Sequence, residues 1–500
     1  MSEYILRVKN IKKSFGGVKA LKGVDLEIKK GEIHCLAGEN GCGKSTLIKI
    51  VSGFFKQDEG TIEIDGETFA NITTSESIRR GIQVIYQDLS VFPNLTVMEN
   101  LALSMELMNG RKLVNRKRMQ KIAEQAVEMI DYHVDFQALV RDLSLGDRQM
   151  IAICRSLLYD AKLIIMDEPT SSLTKKEVKE LFKVIRRLQS QGIAVLFVSH
   201  KLDEVFEISE RFTIFRNGEN VISADTEELD REKFTYYMTG RNFENHYFES
   251  EASEEIPVLQ VKNLGITGMF EDISFEVRRG EIFGVTGLLG CGRDEIMLSL
   301  FGMIPSERGQ ILIDGVPCRI DSVSAAKAKG IGYVPADRIT EGLFLPLAIR
   351  DNIIAAELKA VTGKAGLVDQ KCVEETAEHW ISEMSVVARD SGAPVQTLSG
   401  GNQQKIVLAR WMATELSVLI LNGPTVGVDI GAKHDIYGIL QGLAKKGTAI
   451  IIVSDDLPEI MDNCNRILII KQGKLYREVN SKEITEKILS DMITSEVEAE

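Results

Sequence analysis

Gly38-Glu39-Asn40-Gly41-Cys42-Gly43-Lys44-Ser45 follows the apolar run Ile33 to Ala37 and precedes Thr46 to Val51, which reads as a helix. A G-x-x-x-x-G-K-[ST] spacing between a strand and a helix is that of a phosphate loop. Its backbone N–H groups and the helix N-terminus make a cradle for phosphate oxygens. Lys44 is expected to bind the β- and γ-phosphates and Ser45 to ligate Mg²⁺, with the loop from Gly38 through Thr46 enclosing the nucleotide.

A second loop, Gly287-Leu288-Leu289-Gly290-Cys291-Gly292-Arg293-Asp294, keeps the glycines but has neither the lysine nor the hydroxyl. Lys44 and Arg293 stand 249 residues apart, as do the pairs Gly31-Glu32 and Gly280-Glu281, and Gly60 and Gly309. Further along, Ser144 and Ser399 are 255 apart, and so are Asp167 and Asn422, so the second copy carries six extra residues between its phosphate loop and its later motifs. A repeat of this length indicates duplicated domains, because solenoid periods are about 20–50 residues. The expected division is a first domain at 1–241, an acidic linker at 242–256 with five glutamates and no lysine or arginine, and a second domain at 257–500. The stretch Ser495 to Glu500 reads as a frayed acidic end.

Within each copy the pattern is strand, loop, helix. Leu163 to Met166 reads as a buried strand ending at Asp167, and Ala194 to Val198 as another ending at Ser199-His200. Open parallel α/β sheets place ligand residues at such carboxyl ends. Leu95 to Leu158 lacks strand-like runs and contains helical patterns, as in Arg116 to Tyr132, which suggests a helical subdomain inserted in the α/β core.

Asp167 and Glu168 supply two carboxylates at one strand end, Asp167 for the Mg²⁺ shell and Glu168 to polarise an attacking water. A surface acidic pair after a core strand would look the same in isolation; the intact phosphate loop favours the catalytic reading. His200 could donate a hydrogen bond to a γ-phosphate, and Gln87, after the β-like run Val84 to Tyr86, could sense Mg²⁺ or water. Phe15 lies 29 residues before Lys44 and is a candidate for stacking on adenine, with core packing as the alternative. Leu398-Ser399-Gly400-Gly401-Asn402-Gln403-Gln404 is a Ser-Gly-Gly turn opening a helix-like stretch, Asn402 to Ala413; such a helix N-terminus attracts anions.

These motifs, in order in both halves and over nearly all 500 positions, resemble those of the ATP-binding cassette (ABC) ATPases. The resemblance implies two tandem P-loop NTPase domains, each with a RecA-like α/β core and a helical subdomain, arranged head to tail. In that family the signature Ser-Gly-Gly of one domain closes over the ATP held by the other. Asp167 to Thr174 (DEPTSSLT), Leu398 to Lys405 (LSGGNQQK), Gly431-Ala432-Lys433 and the arginine in the second loop are similar to the tandem ATPases of bacterial ribose, galactose and xylose importers. The implied first site joins Lys44, Ser45, Gln87, Asp167, Glu168 and His200 to Ser399, Gly401 and Asp429, and every member is intact. The implied second site joins Arg293, Asp294, Ala336, Asn422, Gly423 and Asp455 to Ser144, Leu145, Asp147 and Thr174, and nearly every member apart from Ser144 is altered. That subgroup usually has acidic residues at Asn422 and Gly423, a glutamate at Ala336 and a small hydroxyl residue at Asp294, so this chain departs from it on one site.

The resemblance implies an ATPase on the cytoplasmic face of the cell membrane, working with integral-membrane permeases and, through them, a sugar-binding protein. No apolar run approaches the roughly 20 residues needed to span a bilayer. The formal charge of −13 disfavours a general nucleic-acid binder, and the seven cysteines contain no C-x-x-C pair, which suggests a reduced compartment without a zinc or iron–sulfur site. Two alternatives stay open: the same machinery importing a nucleoside or signalling sugar derivative, and a cytosolic tandem cassette protein acting on ribosomes or DNA. The chain shows neither the long charged linker nor the zinc-binding cysteine clusters of the latter.

Overall fold

The computed structural model describes residues 3–87, 90–108, 115–171, 173–242, 257–363 and 366–495. Residues 243–256 of the expected linker, 496–500 of the expected acidic end, and Asp88 and Leu89 lie outside the described residues. The chain divides into two compact units, Met1–Phe243 and Glu244–Glu500.

The first unit is built on a six-stranded sheet. In spatial order its strands are Glu219–Asp225, Arg211–Arg216, Ile33–Ala37, Ala194–Val198, Leu163–Asp167 and Ile82–Ile85. All neighbours run parallel except the edge strand Glu219–Asp225. Ile33–Ala37, Leu163–Asp167 and Ala194–Val198 are buried at every position. That burial explains why they read as unbroken apolar runs with no alternation.

A second, antiparallel sheet of Val18–Lys29, Tyr4–Phe15, Glu59–Ile64 and Glu67–Phe69 was not foreseen from the motifs. Its inward side chains, among them Leu6, Val8, Val24 and Ile62, join the core formed with Leu47 and Leu196. The stretch between Leu95 and Leu158 holds the helices Val97–Met108, Arg116–Glu128 and Leu145–Leu157 and, among the described residues, no strand.

The second unit repeats the plan. Its six-stranded sheet runs Ile331–Val334, Val418–Asn422, Ala449–Val453, Ile282–Thr286, Arg466–Lys471 and Lys474–Asn480, beside an antiparallel sheet of four strands. The repeat locates the extra residues. The Asn100 amide braces the Phe92 backbone from both sides, accepting its N–H at 2.8 Å and donating to its carbonyl at 2.9 Å. Asn352 does the same for Phe344 at 2.9 and 3.1 Å. That pair is offset by 252, so three of the six residues enter between Val334 and Phe344, where Arg338–Gly342 forms a π-helical turn. The remaining three enter between Asn352 and Ser399. Among the described residues no helix is long and apolar enough to cross a membrane.

The repeated Gly-Glu pairs have a structural reason. Glu281, buried, accepts the Arg278 backbone N–H at 2.8 Å and pairs through both oxygens with Arg466 at 2.7 and 3.0 Å. Arg466 also donates to the Glu276 carbonyl at 2.8 Å, tying the antiparallel sheet to the end of the parallel one. Glu32 does the same for the Lys29 N–H at 2.5 Å, sharing its carboxylate between His34 at 2.9 Å and Arg211 at 3.3 Å. Removing one partner of a buried pair strands the other charge. Glu281→Ala should therefore lower the stability of the second unit by about 3 kcal/mol. Both tryptophans, Trp380 and Trp411, lie in that unit, so their fluorescence in a urea titration reads its unfolding midpoint directly.

Candidate functional site

The glycines of the first loop are dictated by close approach. A Cβ on Gly38 would lie 2.3 Å from the Phe215 carbonyl oxygen and 2.6 Å from Cys42 Sγ. On Gly43, at φ 107°, it would strike Leu21 Cδ2 at 2.6 Å. That left-handed turn lets the helix begin at Lys44, two residues before the expected Thr46. Lys44 is 5% exposed, and its Nζ donates to the carbonyls of Gly38 at 2.6 Å and Glu39 at 2.9 Å. The cation is thus desolvated and held by neutral acceptors at the mouth of the loop. Gly41 and Ser45 are exposed, and nothing lies within 4 Å of a Cβ built on Gly41. Asn40 is exposed and Thr46 half-buried.

Parallel pairing brings the other groups to the same strand ends. Leu36 pairs with Val198, and Asp167 pairs with Val198 on its other side. Burial pushes the Asp167 carboxyl above its ordinary range, and the neighbouring Glu168 charge adds to this. A hydrogen bond from Ser45 and the charges of Lys44 and Lys49 oppose the rise. Ser45 and Asp167 are hard oxygen donors of the kind that suits Mg²⁺, which takes few protein ligands and keeps substrate phosphates and waters for the rest. Among the described residues no group of three or more His, Cys, Asp or Glu could hold a metal ion.

Glu168 sits in the left-handed region at φ 49°, its N–H donating to the Val198 carbonyl at 3.1 Å. That conformation costs a non-glycine residue roughly 1–2 kcal/mol. It turns the carboxylate toward His200, whose Nδ1 lies 3.2 Å from Oε1. The hydrogen bond from His200 holds the Glu168 carboxyl below its usual range, against desolvation.

Behind this pair lies a network that motif reading missed. Glu204, buried, accepts from the hydroxyls of Thr170 and Ser199, both at 2.7 Å. Lys201 pairs with Glu204 at 3.0 Å and also donates to the Thr170 carbonyl at 3.2 Å. Glu204 thus fastens the loop bearing Glu168 to the loop bearing His200. In the second unit Glu459 receives the hydroxyls of Thr425, Tyr437 and Ser454 in the same place. A buried acid repeated at the 255-residue offset is the signal that would have found it.

Two further expected members are not hydrogen-bonded into this cluster among the described residues. Phe15 ends its strand 41% exposed, its ring 5.1 Å from that of Phe55 and backed by Lys13 Nζ at 5.4 Å. One face is therefore packed while much of the ring remains accessible. Gln87 is exposed two residues beyond the strand Ile82–Ile85 and makes no hydrogen bond among the described residues.

In the second unit the signature helix runs Gly400–Met412, starting two residues before the expected Asn402. Ser399 is its N-cap residue but leaves its hydroxyl out of the usual capping bond. Instead Asn402 donates to Ser399 Oγ at 3.0 Å. A Cβ on Gly401 would lie 2.4 Å from Ala432 Cβ, so that glycine is required by its neighbour, while one on Gly400 would meet the movable end of Arg338 at 2.7 Å. Asp429 caps the helix Ile430–Lys445 through the Ala432 N–H at 2.8 Å. Lys405, buried, pairs with Asp435 at 2.9 Å and fixes one helix on the other.

Comparison with known proteins agrees with this geometry. The pattern of the family described as ABC transporter matches residues 21–171 and again 270–426. The ribose import ATP-binding protein RbsA of Bacillus licheniformis is 39% identical over 489 residues, 98% of this chain and 99% of that protein. RbsA of Oceanobacillus iheyensis is 39% identical over 484 residues, 97% of each chain, and that of Lactococcus lactis is 40% identical over 491 residues, 98% and 99%. Two matched segments of one family, each containing a phosphate loop on an α/β sheet, mean that the chain belongs to the ABC transporter family and consists of two ABC ATPase domains in tandem.

Proposed function

We propose that this chain is the ATP-hydrolysing subunit of a bacterial importer for a monosaccharide, with Lys44 and Glu168 at its one working centre. The observation carrying this reading is the intact set Lys44, Ser45, Asp167, Glu168 and His200 at adjacent strand ends, in a chain whose full-length relatives are named for ribose import. ATP is the substrate. Lys44, freed from the loop carbonyls, neutralises its β- and γ-phosphates, while Gly38 to Thr46 cradle them and Phe15 stacks on adenine. Ser45 and Asp167 would hold Mg²⁺, with Gln87 as a further candidate, and the ion would neutralise phosphate charge. Glu168, kept ionised by His200, accepts a proton from the attacking water, and His200 then faces the γ-phosphate. Ser399, Gly400, Gly401, Asn402 and Asp429, at two helix starts of the second domain, are further nucleotide-binding residues by the family resemblance. Catalysis is positioning and charge stabilisation in a water-poor site.

The domains are those read from the sequence, 1–241 and 257–500. The protein works at the cytoplasmic face of the cell membrane, passing its motion to separate permease subunits that receive sugar from a binding protein. The stretch from Gln87 to Asn100, including Phe92 and Pro93, is the docking surface for the permease; its Asp88 and Leu89 lie outside the described residues.

Lys44→Ala or Glu168→Gln should lower steady-state ATP hydrolysis at least ~100-fold, whereas Arg293→Ala keeps most of it. Equal losses at both loops would refute the assignment of a single working centre. Adding a cognate permease and loaded binding protein in vesicles should stimulate turnover; no response would favour the cytosolic reading.

The acid limb of the pH–rate profile carries a second expectation. Glu168 is active ionised, and His200 depresses its pKa, so removing the imidazole lets that pKa climb. In His200→Ala the acid limb should move to higher pH, read as apparent pKa from kcat/KM, besides any fall in the plateau. Glu204 acts through its neighbours as a positioning residue. Glu204→Ala should cut kcat about tenfold with a smaller effect on nucleotide affinity, and Glu204→Gln, which can still accept two hydroxyls, should recover much of the loss.

A further inference from the structure

The second phosphate loop keeps the shape of the first. A Cβ on Gly287 would lie 2.3 Å from the Ile470 carbonyl oxygen and 2.6 Å from Cys291 Sγ, the same distances as at Gly38. The helix Arg293–Leu300 likewise begins after a left-handed glycine, Gly292 at φ 97°. What differs is the filling. Arg293, 5% exposed, donates through Nη1 to the Gly287 carbonyl at 2.9 Å. Its other arm is ion-paired to Asp455, which stands where the first unit has His200. Arg293 Nε lies 3.7 Å from Asp294, at the position of Ser45. Asn422, at the position of Asp167, donates to Asp294 at 3.2 Å. The positions that would grip a metal-bound phosphate are therefore bonded to one another. A phosphate entering here must break the Arg293–Asp455 pair and then face two carboxylates.

The signature helix of the first unit, Leu145–Leu157, is closed by a separate device. Ser144 Oγ accepts the Asp147 N–H at 3.1 Å and lies 2.9 Å from Asp147 Oδ2, whose carboxylate is braced by the Tyr132 hydroxyl at 2.6 Å. Glu177 reaches the same turn, its Oε1 2.6 Å from where a Cβ of Gly146 would be. Its other oxygen accepts the Thr174 N–H and hydroxyl at 2.9 and 2.8 Å, completing a capping box. Hydrogen bonds from Ser144 and the Gly146 N–H reach Glu177 as well and help hold its carboxyl below the usual range. In the second unit the residues at these two positions are Ala432 and Asn402, which carry no charge. A helix N-terminus favours an anion; in the first unit the chain supplies its own.

We infer that this chain binds one nucleotide, at Lys44: in the second unit the Arg293–Asp455 ion pair fills the phosphate position of the Arg293 loop, and in the first unit Glu177 fills the anion position on the Ser144 helix. The inference rests on the reading of Lys44 as the working centre and extends it to the count of ligands.

The test is equilibrium dialysis of the full-length Glu168→Gln protein with labelled ATP and Mg²⁺ at saturating, millimolar nucleotide. One nucleotide per chain is expected. Adding Lys44→Ala should abolish binding in this range, and adding Arg293→Ala should leave the count at one and the Kd within about twofold. A count of two overturns the inference, as does loss of binding in the Arg293 variant. Failure of the importer reading looks different: hydrolysis by the wild-type chain that survives Lys44→Ala. A further variant, Arg293→Lys with Asp294→Ser, Asp455→His and Glu177→Ala, whose folding is checked by tryptophan fluorescence, should raise the count above one. A folded variant that still binds only one would show that these four side chains are not what keeps a second nucleotide out.

Discussion

In the first unit the functional side chains depend on the register of three five-residue strands. Ile33–Ala37, Ala194–Val198 and Leu163–Asp167 pair in parallel with their carboxyl ends level. Each is buried throughout, so polar chemistry can begin only where the strand stops. Three consecutive stops deliver the phosphate loop, the Ser199-His200 pair and the Asp167-Glu168 pair to one rim. A slip of one residue would exchange the faces of every side chain. The Glu204 network then holds the rim together, since two of its partners, Ser199 and Thr170, follow different strands.

The second unit holds the same register between Ile282–Thr286, Ala449–Val453 and Val418–Asn422, yet the rim chemistry is altered. The contrast separates what the fold needs from what a reaction needs. Glu168 and Gly423 share a left-handed backbone, at φ 49° and 57°, and both donate their N–H to the last residue of the neighbouring strand. Glycine is the residue that turn prefers. A glutamate is kept there only in the first unit, where its carboxylate meets a histidine. The strain at Glu168 is explained by that use, and its absence at Gly423 is what a purely structural position looks like.

Motif spacing made the phosphate loop, the three motif-bearing strands and the Ser-Gly-Gly helix legible, because short buried parallel strands and glycine turns leave strong local marks. Helix starts were misjudged by two residues at both Lys44 and Gly400. The glycine or serine that admits the first turn acts through its dihedral angles, which composition does not display. The antiparallel sheet was missed because it carries no motif. Tyr4–Phe15 also breaks its alternation with register shifts near Asn10, itself at φ 49°. Glu177 and Glu204 were missed for another reason. Each reads as one more surface glutamate on a helix; only tertiary contact shows the first against Gly146, and for the second the repeat at Glu459 was the one mark in the sequence.

The altered second loop also changes how its acids are understood. Read from the sequence, Asp294 and Asp455 repel phosphate. In the structure Asp455 pairs directly with Arg293 and Asp294 lies 3.7 Å from its Nε, which makes no hydrogen bond; the buried planar fork needs several acceptors, where Lys44 needs only the carbonyls of its own loop. An arginine at this depth without Asp455 would be left with the Gly287 carbonyl and a distant Asp294, an expensive arrangement for a desolvated charge. The dependence runs one way: losing Asp455 alone would leave a buried guanidinium short of acceptors, whereas the Asp455 side chain is itself 65% exposed. That dependence gives a physical reason for the loop to keep the outline of a nucleotide site while its interior serves the fold.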